Sequence, residues 1–159
     1  LPDIISFGKK SQVCGILAGD RVLEAKNNVF QRSSRINSTF GGNLTDMIRF
    51  KIILETIEEH NLLANAQIKG DYLLQKLHYL EEQFPAFMVN SRGSGLFCSF
   101  DLPSSDERDL LTQEAYKNNL LILGCGIKSI RFRPHLTVIE QEIDFAIDAL
   151  EKSIKNILK

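Results

Sequence analysis

The chain has no tryptophan, only three cysteines and four prolines among its 159 residues, and no long hydrophobic run. Cys14, Cys98 and Cys125 are odd in number, far apart and outside any C-x-x-C spacing, which disfavours both a disulfide framework and a zinc site. No stretch approaches the roughly 20 apolar residues that a membrane-spanning helix needs. We therefore expect a globular cytoplasmic protein with no metal centre and no membrane partner.

An excess of charge of one sign is also missing. Nineteen Lys and Arg face twenty Asp and Glu, for a formal charge of -1, so no strong field favours nucleic acid as a partner. The three histidines show no ligand spacing, and we assign them no role. What is present is 43% apolar residues, enough for the core of one medium or two small domains.

The first 20 residues have a pattern that is typical of β-strands. Apolar runs at 4–7 and 15–20 predict two buried strands. The chain begins with Leu1 rather than Met and enters the first run at once. This arrangement predicts the C-terminal portion of a longer protein.

Two helices should follow a Ser-, Asn- and Gly-rich loop. Asn43 can cap the first, whose apolar residues recur at helical spacing up to the polar break at 58–61. The second runs over about 62–84 and is stopped by Pro85. Its predicted apolar side consists of Ile68, Leu73, Leu77 and Leu80.

The second half alternates between strand and helix patterns. "FMVNSRGSGLFCSFDLP" predicts two strands around a turn at 92–95, with Leu96, Cys98 and Phe100 on one face. A helix at 107–118, the strands "LLILGCG" and "SIRFRP", and an amphipathic helix at 140–158 complete the pattern. The alternation is typical of an α/β or α+β sandwich.

Lys9 and Lys10 follow the first strand directly. A lysine at the end of a buried strand can lose its proton through desolvation, and a neutral amine attacks an aldehyde to form a Schiff base. The alternative is that both ammonium groups extend into solvent.

Two further stretches carry groups suited to anions. "NSTFGGN" sets the hydroxyls of Ser38 and Thr39 before a helix N-terminus, which suits a phosphate, although an ordinary capped turn has the same composition. "SIRFRP" places Arg131 and Arg133 on one face of a strand, which suits a carboxylate, although a salt-bridged surface strand is equally compatible.

Taken in order, these stretches resemble the C-terminal part of the class-III aminotransferases, which are pyridoxal-phosphate enzymes of fold type I. The family pattern of Pro-Asp-Ile/Val, three residues, a small residue and the cofactor lysine matches Pro2 to Lys9. The resemblance implies that Lys9 is the Schiff-base lysine, that Ser38 and Thr39 bind the cofactor, Thr39 across a homodimer, and that Arg131 binds substrate. It further implies that residues 1–61 are a remnant of the large cofactor domain and that 62–159 form the small α/β domain.

Within the family, "FGKKSQVCGILAG", "NVFQRSSRINSTFGGNLTDM" and "KSIRFRPHLT" resemble the lysine-using members more closely than the 4-aminobutyrate enzymes. This implies transfer of the ε-amino group of L-lysine to 2-oxoglutarate, giving 2-aminoadipate 6-semialdehyde and glutamate. We expect the chain alone to be inactive, since most of the family's pocket lies outside it. The alternatives are a 4-aminobutyrate or other ω-amino-acid transaminase, and a non-catalytic α/β module that binds an acidic partner through Arg131.

Overall fold

The computed structural model describes residues 2–11, 13–36, 39 and 41–159. The chain divides into two compact units, Leu1–His60 and Asn61–Lys159. Asn61, in the left-handed region with φ 50°, separates helix α1 (Leu44–Glu59) from helix α2 (Leu62–Gln83). None of the helices in the described ranges is long and apolar enough to cross a membrane.

The first unit contains a two-stranded antiparallel hairpin. Strands β1 (Ile4–Phe7) and β2 (Gly15–Ala18) pair with Phe7 opposite Gly15. The prediction of two strands is confirmed, but the prediction that they are buried is wrong, because their aliphatic side chains are 44–60% exposed. A lone hairpin has no further strand to extend it and no covering layer on both faces, so it leaves its apolar residues accessible.

Helix α1 starts where the sequence predicts. The Asn43 side-chain oxygen accepts a hydrogen bond of 3.0 Å from the Thr45 N–H, which satisfies one of the free amides of the first turn. Within this unit the Phe50 ring stacks on that of Phe7, with the centroids 5.0 Å apart. Five other large apolar side chains of α1 are largely exposed, whereas Ile53 and Ile57 are half-buried; the exposed ones are Leu44, Met47, Ile48, Ile52 and Leu54.

The second unit is a four-stranded antiparallel sheet with three helices. Its strands are β3 (Val89–Ser94), β4 (Phe97–Asp101), β5 (Leu123–Cys125) and β6 (Ser129–Phe132), in the order β3-β4-β6-β5. Helix α3 (Ser105–Lys117) and helix α4 (Glu140–Ile157) join α2. The mixed α/β pattern is confirmed.

Two details of the second unit differ from expectation. The turn between β3 and β4 lies at Gly95 and Leu96, later than the predicted 92–95, because Arg92 and Gly93 remain paired with β4. Ile68 is 59% exposed, whereas the other three residues of the predicted apolar side of α2 are buried. Gly70, on the adjoining turn, is the residue that faces the sheet in this part of the helix.

One face of the sheet packs against the helices of this unit. Phe100 on β4 and Ile130 on β6 are fully buried against leucines and isoleucines of the helices. The alternate residues Phe97, Ser99 and Arg131 point to the other face and remain partly or largely accessible. An antiparallel sheet with one core-facing and one more polar face takes this pattern.

Helix α2 approaches the β3–β4 turn through two glycines. A Cβ atom on Gly70 would lie 2.2 Å from the Gly95 carbonyl oxygen, and Gly95 itself has φ +51°. The buried Cys98 thiol lies 3.4 Å from the same oxygen. Burial, together with the nearby Asp71, raises the pKa of the Cys98 thiol to about 11, so the thiol stays protonated at neutral pH.

Candidate functional site

Lys9 lies just beyond the end of β1 and opens a short 3-10 turn, Lys9–Ser11. Its side chain is exposed, and its backbone has φ 61°. This left-handed conformation costs a residue with a Cβ about 1 kcal/mol. Asn27 and Ser34 of the same unit also have positive φ, so this conformation does not by itself distinguish Lys9 from other turn residues.

The backbone on either side of the hairpin end is closely packed. A Cβ on Gly8 would lie 2.8 Å from the Cys14 sulfur, and one on Gly15 would lie 2.3 Å from the Phe7 ring. Glycine at these two positions lets the strands meet. The close approach fixes the direction in which the chain enters Lys9.

An open hollow of about 690 Å³ adjoins this hairpin in the first unit. It brings the two strands together with the loop before α1, and Lys9 is not among the lining residues. The lining is Ser6, Phe7, Cys14, Gly15, Ile16, Phe30, Ile36, Gly41 and Gly42. The glycines of the "NSTFGGN" stretch therefore lie beside the hairpin that ends at Lys9.

The two hydroxyl residues of the same loop differ in what the structure shows. Thr39 lies in a turn and is exposed. Ser38 lies outside the described residues. At the N-terminus of α1, Asn43 already accepts a hydrogen bond from one backbone amide. A phosphate at this position would therefore bind to the remaining N–H groups of the first turn.

Arg131 occupies the outward face of the second unit. It lies opposite Ser99 on β4 and Leu123 on β5. Its Nε atom is buried and has no hydrogen-bond partner among the described residues. Because buried N–H groups are nearly always paired, this atom indicates that an acceptor belongs here.

A hollow of about 220 Å³ is lined by residues at the end of β6 and of the segment that enters β5. It is walled by leucine and isoleucine from the segment that leads into β5, by Pro134 and by Ala146 of α4. Arg131 and Arg133 both line it. An apolar wall beside paired cations is suited to a small organic anion.

Asp101 lies on the same outward face and accepts three side-chain hydrogen bonds. Its carboxylate accepts from Ser129 at 2.5 Å, from the Asn90 amide at 2.7 Å and from Arg92 at 3.0 Å. Burial alone would raise the pKa of this carboxyl, but the bonds from Ser129, Asn90 and Arg92 outweigh it and hold the pKa below its ordinary value. Neither the Asp101 site nor the Arg92 pair is evident in the sequence, apart from the two-residue alternation along β4.

The depressed pKa predicts an acid-dependent stability. A carboxyl with a lowered folded-state pKa contributes stability above its unfolded pKa of about 4, and this contribution is lost as the pH falls through the folded value. Asp101→Asn should lower the free energy of unfolding by about 2 kcal/mol at pH 7. The deficit relative to wild type should shrink as the pH falls below about 4, measured by thermal unfolding at a series of pH values.

The control is Asp148→Asn, at an exposed position of α4. It should leave stability close to wild type throughout the same pH series. If the loss of unfolding free energy in Asp101→Asn stays constant from neutral to acid pH, the ionised Asp101 carboxylate does not stabilise the fold as predicted.

Each candidate residue has a defined place in its own unit. Lys9 and Thr39 belong to the first unit and Arg131 to the second. Within the described ranges, no three His, Cys, Asp or Glu side chains group as metal ligands.

The comparisons identify the family. The profile of "Aminotransferase class-III" matches residues 1–154, and the chain belongs to this family. Class-III aminotransferases generally depend on pyridoxal phosphate.

The chain is similar to L-lysine-epsilon aminotransferase of Amycolatopsis lactamdurans, with 47% identity over 154 residues that cover 96% of this chain and 34% of the relative. It is 37% identical to 4-aminobutyrate aminotransferase of Kluyveromyces lactis over 155 residues, 96% of this chain and 32% of that protein. The chain thus spans about a third of the length of the curated relatives it matches.

Solved structures agree with the sequence comparison. Lysine aminotransferase from M. tuberculosis in the internal aldimine form matches with a TM-score of 0.94 and 46% identity, covering 99% of this chain and 36% of that one. The structural match confirms that the mixed α/β architecture is that of class-III aminotransferases.

Proposed function

We propose that this chain is part of a pyridoxal-phosphate-dependent aminotransferase that moves the ε-amino group of L-lysine to 2-oxoglutarate. The observation that carries the proposal is the family match over residues 1–154 combined with the higher identity to L-lysine-epsilon aminotransferases, 47% against 37% for the 4-aminobutyrate enzyme. The products would be 2-aminoadipate 6-semialdehyde and glutamate, formed in the cytoplasm.

Residues of the first unit fit the cofactor. Lys9 presents an exposed amine beyond the end of β1 on a strained backbone, and Gly41 and Gly42 line a hollow beside that hairpin. When bound, pyridoxal phosphate supplies an aldehyde carbon that amines attack and a conjugated ring that accepts an electron pair. We assign the covalent anchor to Lys9, and residues 1–61 to the large cofactor domain.

Lys9 would also move the proton. When the substrate amine is bound to the cofactor, the Lys9 Nζ would take the proton from the ε-carbon of L-lysine and deliver it, as a general acid, to the cofactor carbon. A single amine thus serves two roles in sequence. Gly8, directly before Lys9, lies close to Cys14, directly before β2.

Arg131 would hold a substrate carboxylate. Its unpartnered Nε and its guanidinium nitrogens form the planar fork that a carboxylate accepts from in two parallel bonds. A carboxylate bound to Arg131 would orient L-lysine in one half-reaction and 2-oxoglutarate in the other toward the same cofactor. Residues 62–159, which carry it, would form the small domain.

Thr39 would bind the cofactor phosphate of a second copy in a homodimer, and Ser38 the phosphate in the same loop. The exposed hydroxyl of Thr39 suits an acceptor outside its own unit. A Thr39→Val variant of the full-length protein should bind pyridoxal phosphate more weakly, measured as an increased dissociation constant.

A panel of amino donors tests the function. The full-length protein loaded with pyridoxal phosphate should use L-lysine with 2-oxoglutarate at a kcat/KM well above those for ornithine and 4-aminobutyrate. Glutamate formation measures all three donors in parallel. A preference for 4-aminobutyrate would overturn the choice of donor but leave the reaction class intact, whereas glutamate formation from none of them would overturn the class.

A further inference from the structure

The outward face of the second unit carries two neighbouring cations at one end. Arg131 lies on β6 between the buried residues Ile130 and Phe132, and Arg133 follows two positions later. Residues two apart in extended chain lie on one side and about 7 Å apart along it. Both arginines line the same 220 Å³ hollow.

These two positive charges are not neutralised by the residues around them. Asp101 accepts from Ser129, Asn90 and Arg92, and among the described residues no ion pair joins it to Arg131. The lining of the hollow contains no acidic residue. Within the described ranges, neither Arg131 nor Arg133 forms an ion pair. The predicted alternative of a salt-bridged strand face is thus not what these residues form.

Arg133 is placed by an aromatic contact. Its guanidinium carbon lies 5.4 Å from the centre of the Phe97 ring on β4, and the ring is 54% exposed. Such a cation–π contact is attractive for an exposed guanidinium. It holds the charge over the sheet without neutralising it, so the full charge remains available to a ligand.

We propose that Arg133 is a specificity-determining residue whose charge, held by Phe97 next to Arg131, favours dicarboxylate oxo acids over cationic amino donors at the substrate site. This inference rests on the proposed function and deepens it. 2-Oxoglutarate carries two negative charges at neutral pH, whereas L-lysine carries a net positive charge. A fixed cation beside the carboxylate site therefore acts in opposite directions on the two substrates.

Steady-state kinetics of the full-length, cofactor-loaded protein make this testable. Arg133→Gln should raise the KM for 2-oxoglutarate by about three- to tenfold at low salt, and leave the KM for L-lysine unchanged or lower. The value of kcat at saturation should stay close to wild type. Arg133→Lys is the matched control, because it keeps the charge and should keep most of the affinity for the oxo acid.

Salt gives a readout that a structural role would not change. Since ions screen an exposed charge, raising the ionic strength should narrow the difference in the KM for 2-oxoglutarate between wild type and Arg133→Gln. KM values that rise together for both substrates, or a difference that salt does not alter, would overturn the proposal in favour of a packing role.

Equilibrium binding separates this inference from the proposed reaction. Glutarate is a dicarboxylate without an oxo group, and its binding to the full-length protein by calorimetry needs no turnover. Weaker binding to Arg133→Gln than to wild type and Arg133→Lys supports the inference even if lysine proves not to be the donor. Equal binding to all three proteins, or no binding to wild type, overturns it while leaving the donor panel to decide the reaction.

Discussion

Replacing Lys9 by alanine in the full-length protein should reduce transamination by at least about 10³-fold, because the variant loses both the cofactor anchor and the proton-transferring base. Lys10→Ala is the matched control, one residue further along the same stretch, and should keep most of the activity. The measurement is the rate of glutamate formation from L-lysine and 2-oxoglutarate with each protein saturated in pyridoxal phosphate.

A chemical readout accompanies the rate. Borohydride treatment of the wild-type protein should fix pyridoxal phosphate on the peptide that contains Lys9, as shown by peptide mass spectrometry, and the label should be absent from Lys9→Ala. Label on Lys10, or loss of activity in Lys10→Ala with retention in Lys9→Ala, would show that the family register was placed one residue too early.

Gly70→Ala should destabilise the second unit by about 3 kcal/mol or more. Alanine in place of glycine ordinarily favours a helix by about 1 kcal/mol. Here, however, the new Cβ would lie 2.2 Å from backbone atoms of Gly95, and neither partner has a side chain that could rotate away. The helix must shift from the sheet, which disturbs the packing of a close-packed core.

Thermal unfolding measures the effect, with an expected decrease in Tm of more than about 10 °C. The control is Gly126→Ala in the β5–β6 turn, where φ is +55° and a Cβ would meet nothing within 4 Å. That variant bears only the backbone strain, about 1 kcal/mol. A Gly70→Ala protein as stable as wild type would show that α2 and the β3–β4 turn can separate without loss.

Local signals in the sequence predicted much of the fold. The cap at Asn43 and the stop at Pro85 are determined by neighbouring backbone groups, so α1 begins at Leu44 and α2 ends at Gln83 as expected. The alternation of Leu96, Cys98 and Phe100 also predicted the buried face of β4 correctly. Such features need no knowledge of distant residues.

Features that depend on distant residues could not be predicted in this way. The contact between Gly70 and Gly95 joins a helix to a turn 25 positions away, and neither glycine signals it alone. Asp101 collects donors from β3 and β6, a consequence of sheet order rather than of local pattern. The exposure of β1 and β2 was mispredicted for a related reason, since burial depends on what covers a strand.

In the candidate site, too, some features could be predicted from the sequence and others are seen only in the structure. Lys9, Thr39 and Arg131 were selected by resemblance to family motifs, while their residue types alone left simpler explanations open. The structure adds the left-handed backbone of Lys9 and the unpartnered Nε of Arg131. Both come from backbone geometry and tertiary packing, which composition and spacing do not contain.

The one-sided sheet has a consequence for how this unit can change over evolutionary time. Along β6 and just beyond it, Ile130 and Phe132 are buried in the core, whereas Arg131 is partly exposed and Arg133 is exposed. Substitutions at the second pair can alter charge and reach without creating a cavity. On the roles proposed for the two arginines, substrate preference and thermodynamic stability would depend on alternate positions of the same short segment, so selection could act on one with little penalty to the other.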